Sequence, residues 1–599
     1  MTLLVGGLLA GCSAAAGTPT DEGTPQSSAP RAEESAPALT VADALTANLP
    51  THDGAADAEW DAATEVQVDL ADGASTASGE GVSIDGDTVT IDRAGTYRLS
   101  GALTDGEVVV DAADGGVVRL VLDGVDVAST ASSPLAVVEA GTAVVVLADG
   151  SENRLADAAR TVEDGSDEPD AGLYSAADLT ITGTGALEVQ GRTNDGIATK
   201  DGLVVNGGTI TVDAVDDAIR GKDYLVVNDG EIVATAEGDG LKSDNDEDAA
   251  AGYVALLGGT VSIEAGADGV DAATDVIVGD GTLDVRSGGG SSATVAEDDS
   301  AKGLKAGVAV VVGGGTATVD SADDAVHSNG DVAVTGGELT LASGDDGVHA
   351  EGSVTVTDGT VSVTDSYEGI EAPAISVTGG DVTLVSSDDG VNAAGDETSS
   401  YSLTVTGGTV SIEAGGDGLD SNGTVDMSGG TVMVSGPADP GNGSIDVVGE
   451  FTISGGTLVA AGSAGMAMAP GTDSPQASVM TTVPSQRAGT VVQVVSSDGD
   501  AVASFTPRTS FSSVVLSAPG LVAGETYEVY VGGSVAGTQT GGVHDDGDLA
   551  GASVVATVTA GEYASGGMGG PGGGEPGGMG EPGGGRGAAG SGGRGGPAF

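Results

Sequence analysis

Nine acidic residues recur in one local setting, an acid followed by Gly or Ala and then by Ile, Val or Leu: Asp195, Asp217, Asp239, Asp268, Asp324, Asp346, Glu368, Asp389 and Asp417. Four more carboxylates, Asp216, Asp323, Asp345 and Asp388, immediately precede members of this set. Grouped carboxylates are hard oxygen ligands, and Ca2+ gathers about six to eight oxygens in loose geometry. The competing use of each Asp is to accept backbone N–H bonds at a turn. Two acidic insertions add candidates. Asp244, Asp246 and Asp248 alternate as in part of an EF-hand loop, without its glycine and closing glutamate at the required offsets; Glu297, Asp298 and Asp299 form a second run. All these acids except the last run are the expected metal ligands, with Ca2+ the expected ion.

The spacing says what must position them. The aliphatic residues of the motif fall at 197, 219, 241, 270, 304, 326, 348, 370, 391, 419 and 445 when the weaker copies Lys302-Gly303-Leu304 and Gly443-Ser444-Ile445 are included. The recurring interval is 22 residues, lengthened by insertions. A second marker keeps the same beat, as in Gly207-Gly208-Thr209, Gly314-Gly315-Thr316 and Gly429-Gly430-Thr431, each followed by alternating apolar residues. Within one unit the runs Ala325 to His327, Asp331 to Val334 and Glu338 to Leu341 are short strands separated by glycine turns. Three strands per unit make one coil of a parallel β-helix, whose apolar rows are buried only when coils stack about 4.8 Å apart. A left-handed helix of hexapeptide periods is the alternative and fits 22 badly.

Stacking turns repeated residues into columns. Like charges ~4 Å apart repel by about 1 kcal/mol in water and about 4 kcal/mol at an effective dielectric of 20, so an acid column needs cations or raised pKa values. One residue beyond the aliphatic position runs a second column, turned outward by strand alternation: Ala198, Arg220, Lys242, Asp271, Lys305, His327, His349, Glu371, Asn392, Asp420 and Asp446. Arg220, Lys222, Lys242, Lys302, Lys305, His327, His349 and Asn392 are therefore the candidate glycan-binding residues of a polar groove beside the acids. Solvated side chains paired to nearby acids are the plainer account of the same column.

The totals agree with a narrow all-β repeat. Of 599 residues 106 are Gly and only 2% are aromatic, and 91 acids face 18 bases for a net charge of -73. Such a chain repels nucleic acid and anionic membranes. The one cysteine, Cys12, excludes an intrachain disulfide. It follows the apolar stretch Leu3 to Leu9 in Leu9-Ala10-Gly11-Cys12, which resembles a bacterial lipobox, although no Lys or Arg precedes it. The expected organisation is a lipoprotein signal over 1–12 with Cys12 lipidated, a disordered tether over 13–60, and irregular coils over 80–181. Regular coils follow over 182–470, a β cap over 486–537 and a Gly/Pro-rich disordered tail over 565–599. Such a monomer would be held by its lipid on the outer face of the bacterial cytoplasmic membrane.

Neutral polysaccharides are usually gripped by aromatic faces, yet Trp60 lies beside the tether and Tyr224, Tyr253, Tyr367 and Tyr401 share no column in the sequence. Acidic polysaccharide would be repelled unless bridged by Ca2+ or met by the bases.

GTYRLSG (95–101), LVLDGVD (120–126), NDGIATKD (194–201), AIRGKD (218–223), GDGLKSDNDED (238–248), SAKGLKAG (300–307), DDAVHSNGD and SYEGIEAP resemble the bacterial carbohydrate-binding-domain-containing β-helix proteins. The likeness runs from about Val82 to Gly533. It implies a right-handed parallel β-helix with Ca2+ between coils, a pectate-lyase-like shape, and attachment to polygalacturonate or cellulose. It carries over no catalytic residue. Binding is the expected role. A calcium-stiffened scaffold, or a calcium-assisted lyase using Lys242, Lys302 or Lys305 as base, are the alternatives.

Overall fold

The computed structural model describes residues 38–52, 54, 58–162, 168–296, 299–395 and 400–563. Most of the strands are short and parallel and wind into a solenoid. In the coil read above, Val326–Ser328 is one strand and Asp331–Ser343 is the other two joined end to end; one coil earlier the corresponding pieces, Ala309–Val312 and Thr316–Ser321, are separate. The short strand of every coil belongs to a 16-stranded sheet, and the longer runs form the remaining walls.

The register confirms the period. Leu173, Ile197, Ile219, Leu241, Val270, Leu304, Val326, Val348, Ile370, Val391, Leu419 and Ile445 each pair with the next, and all are buried. The intervals of 29 and 34 are ordinary coils carrying loops, after Ser243 and after Ser287. The Gly-Gly-Thr marker has a steric cause. Gly315 sits at φ +71°, and a Cβ there would lie 2.7 Å from the carbonyl oxygen of Gly281 in the coil before.

Both ends of the stack are closed. Val82–Asp85 and Thr88–Ile91 form an antiparallel hairpin at the first coils. At the far end Phe511–Ser517 pairs antiparallel with the last wall strand, Thr457–Gly462, and with Ser478–Gln486. A six-stranded antiparallel sheet from Val492 to Thr559 completes this cap, which is thus larger than 486–537. Covering the exposed strand edges suppresses edge-to-edge pairing.

The tether expected over 13–60 does not extend to residue 60. Val41–Ala47 is a helix, started by a capping box of Thr40 and Asp43, and Ala44 packs on the outer wall against Val204, Val226, Ala255, Ile277 and Val311. Asn48 locks it there, its Nδ2 donating to Asp275 Oδ2 at 2.7 Å. Small alternating apolar residues on the outside of that wall, which a solvated wall would not carry, make the docking patch. Cys12 with its 1–12 segment, residues 13–37 of the tether, and the 565–599 tail lie outside the described residues.

Candidate functional site

The acid column is built by the backbone first. Gly240 N–H donates to Asp268 O and Leu241 N–H to Gly269 O, each at 3.0 Å, so consecutive coils touch at the motif. Its small residue is required: a Cβ on Gly240 would lie 2.3 Å from Ile263 Cγ2 and 2.6 Å from Gly269 O. Each aspartate of the column then uses one oxygen to accept a backbone N–H of the next coil. Oδ1 of Asp217 accepts the N–H of Asp239 at 2.9 Å, Oδ1 of Asp239 that of Asp268 at 2.9 Å, and Oδ1 of Asp268 that of Lys302 at 2.7 Å. Asp195, Asp324, Asp346 and Asp389 do the same for Asp217, Asp346, Glu368 and Asp417. Turn capping is therefore a real function of the column, shared with whatever the second oxygen does.

In the N-terminal half the second oxygen meets a base of this chain. Lys242 Nζ lies 3.1 Å from Asp217 Oδ2 and 2.7 Å from Asp239 Oδ2. Lys305 pairs with Asp268 and Asp271 at 2.7 and 3.3 Å. Lys302 fills an acid's place in the column by its backbone and sends Nζ to Asp323 and Asp324, at 2.8 and 3.0 Å. Arg220 bonds Asp244 at 2.6 Å and reaches only 3.7 Å from Asp195, whose buried Oδ2 has no hydrogen-bond partner. Burial, reinforced by Asp217, raises Asp195 to about 8.

The compensation changes at the histidines and then stops. His327 Nδ1 is 2.8 Å from Asp324 Oδ2; burial would raise Asp324, but His327 and Lys302 outweigh it and hold that carboxyl at about 2. His349 is raised to about 9, chiefly by its bond to Asp346. Beyond them, Glu371, Asn392, Asp420 and Asp446 follow one another in register, beside Glu368, Asp388, Asp389 and Asp417, and no Lys or Arg reaches this stretch among the described residues. Burial, with neighbouring carboxylates adding to it, raises Glu368 to about 8, Asp389 to about 7 and Asp420 to about 6. Asn392 is buried among them. Its Nδ2 donates to Glu368 Oε2 at 2.9 Å, while its Oδ1 is buried without a partner. Hard oxygens, excess negative charge and an unsatisfied amide oxygen are what an oxygen-seeking cation would use.

A family model for the carbohydrate-binding domain-containing protein matches residues 85–347 and 346–563. The chain belongs to that family. A carbohydrate-binding domain-containing protein of Acetivibrio thermocellus is 44% identical over 212 residues, 35% of this chain and 74% of that protein. Among solved structures, the polysaccharide lyase-like protein from C. thermocellum, a gadolinium derivative, is similar at 32% identity over 42% of this chain and 93% of that one, with a TM-score of 0.34.

In this family member the remaining candidates separate. Asp246 and Asp248 are exposed; Asp248 Oδ1 accepts the N–H of Ala250, and Asp244 is held by Arg220, so the insertion does not gather its acids around a point. Glu297 and Asp298 lie outside the described residues. Asp216 and Asp345 are exposed at the corner, and Asp323 is taken by Lys302. Lys222 makes no ion pair among the described residues, and Lys200, not singled out in the sequence, stands one coil below it, since Thr199 pairs with Gly221.

Two aromatic readings change. Tyr224 and Tyr253 do share a column, concealed in the sequence by the loop between them, and their rings stack with centroids 5.6 Å apart. They serve the N-terminal segment: Tyr253 Oη donates to Leu49 O at 2.8 Å and Tyr224 Oη meets His52. Trp60 is packed on the outer wall, its Nε1 donating to Glu65. Tyr367, by contrast, is 48% exposed. It occupies the corner position held by Asp345 and Asp388 in the adjoining coils, a placement visible in Tyr367-Glu368-Gly369-Ile370 once that unit is aligned with its neighbours.

Proposed function

We propose that this family member binds acidic polysaccharide, holding the glycan carboxylates through Ca2+ carried on the base-free part of the acid column. Glu368, Asp389, Asp417 and Asp420 would hold the ion together with Asn392 Oδ1, and Tyr367 would offer a ring face to the adjoining sugar. The observation that supports this most is the buried, unpartnered amide oxygen of Asn392 amid carboxylates that no base of the chain neutralises. The bases named from the sequence are mostly spent within the protein: Arg220, Lys242, Lys302 and Lys305 neutralise its own carboxylates. A uronate polymer approaching a chain of net charge -73 needs a bridging cation, because the long-range field is repulsive.

The same reading keeps Cys12 as a lipid anchor on the outer face of the bacterial cytoplasmic membrane, to be tested by fatty-acid labelling of the native protein against Cys12→Ala. For the site, retention on immobilised polygalacturonate is the test. Retention is expected with Ca2+, is lost in chelator, is restored by Ca2+ and not by Zn2+, and is weakened by Asp389→Asn and by Tyr367→Ala. Retention that survives chelation would overturn the bridging account. Release of unsaturated, ultraviolet-absorbing product would make the protein a lyase instead.

A further inference from the structure

Two of the four histidines, His327 and His349, are direct partners in adjacent coils, with ring centroids 5.1 Å apart. They stand where the outward column passes from Lys305 to Glu371, between a segment neutralised by ammonium groups and one that has none. Asp324 approaches from the inner column, its Oδ2 2.8 Å from His327 Nδ1. One donor atom from each of Asp324, His327 and His349 lies within 4.8 Å of the other two. Imidazole nitrogen is a poor ligand for Ca2+ and a good one for Zn2+, Ni2+ or Cu2+, and two imidazoles with a carboxylate leave a fourth position open.

The surroundings are those of oriented ligands. Lys302 Nζ and the N–H of Asp346 hold the Asp324 carboxylate, at 3.0 and 3.1 Å, and Asn329 Oδ1 is 3.0 Å from His327 Nε2. Such outer partners fix ring and carboxylate orientation. Metal–ligand bonds of about 2.0–2.1 Å put tetrahedral donors roughly 3.4 Å apart, against separations of at most 4.8 Å here. Both rings are partly exposed, which leaves an entry path.

We propose that His327, His349 and Asp324 bind one transition-metal dication of the zinc class, distinct from the oxygen-only stretch that begins at Glu368. The site does not depend on the glycan reading. The test is calorimetric titration of the chelator-stripped full chain with Zn2+ in a large excess of Ca2+, with Co2+ absorption as an independent report of imidazole ligation. One Zn2+ per chain is expected, with a Co2+ ligand-field band. His327→Gln and His349→Gln should each weaken binding by more than about tenfold, since loss of even an outer partner costs 10–100-fold. Asp389→Asn should leave Zn2+ binding unchanged while reducing glycan retention, which separates the two sites. Displacement of Zn2+ by Ca2+, absence of the Co2+ band, or unchanged affinity in either histidine variant overturns the proposal; an effect of His349→Gln alone would place the ion on Asp346, His349 and Glu371 instead.

Discussion

A carboxylate in this column has two oxygens with two different tasks, and substitutions separate them. Asp239 accepts the N–H of Asp268 through Oδ1 and holds Lys242 through Oδ2. Asp239→Asn can keep the first contact through its amide oxygen, but its NH2 cannot accept from Lys242, so the ion pair is lost. Asp239→Ala strands a buried N–H and half of an ion pair, and should cost about 1–3 kcal/mol more in urea unfolding, the usual cost of an unsatisfied buried polar group. In the base-free stretch the balance reverses. Asp420→Asn should raise the melting temperature in chelator, by relieving repulsion from Asp417 and Asp446, and should diminish the further rise produced by Ca2+. The motif announced that these acids line up; which of them keep a free oxygen depends on the reach of Lys and Arg side chains from other coils, which no local pattern records.

At the scale of the coil, the strands owe little to one another within a turn and nearly everything to the turns above and below. Leu304 is completely buried between Val270 and Val326, and Leu304→Ala should destabilise by about 2–5 kcal/mol, as large-to-small changes in a packed core do. Gly315→Ala should also destabilise, by more than the ~1 kcal/mol that a left-handed residue costs by itself, because its Cβ meets a backbone oxygen that cannot rotate away; thermal melting checks both. The 22-residue beat was readable because each coil repeats the same apolar sites. The helix Val41–Ala47 was not. Seven residues rich in alanine after a proline-rich stretch look like linker, and only the apolar outer patch around Val226 and Ile277 makes them fold.

Across the whole molecule the acid column links stability to pH. Asp195 and Glu368 at about 8, Asp346 and Asp389 at about 7 and Asp420 at about 6 are all raised in the folded chain, principally by burial. Between roughly pH 4 and pH 8 the folded state therefore keeps protons that the unfolded state has released, and stability falls as pH rises through that window. In chelator the melting temperature should be higher at pH 5 than at pH 8, and Ca2+ should restore more of it at pH 8, where the carboxylates are free to bind. A melting temperature that climbed toward pH 8 in chelator would show the carboxylates to be better solvated than their burial implies. The repeat, its strands, the aliphatic core column and the alignment of acids beside a mixed polar column were all legible in the chain, because a period of 22 forces equivalent residues into contact. That Arg220, Lys242, Lys302 and Lys305 neutralise one end of the column, that no Lys or Arg among the described residues reaches the other, and that Tyr224 and Tyr253 are covered by the N-terminal segment while Tyr367 is open follows from the folded arrangement alone. Those outcomes turn on side chains reaching between coils and on loops whose lengths interrupt the period.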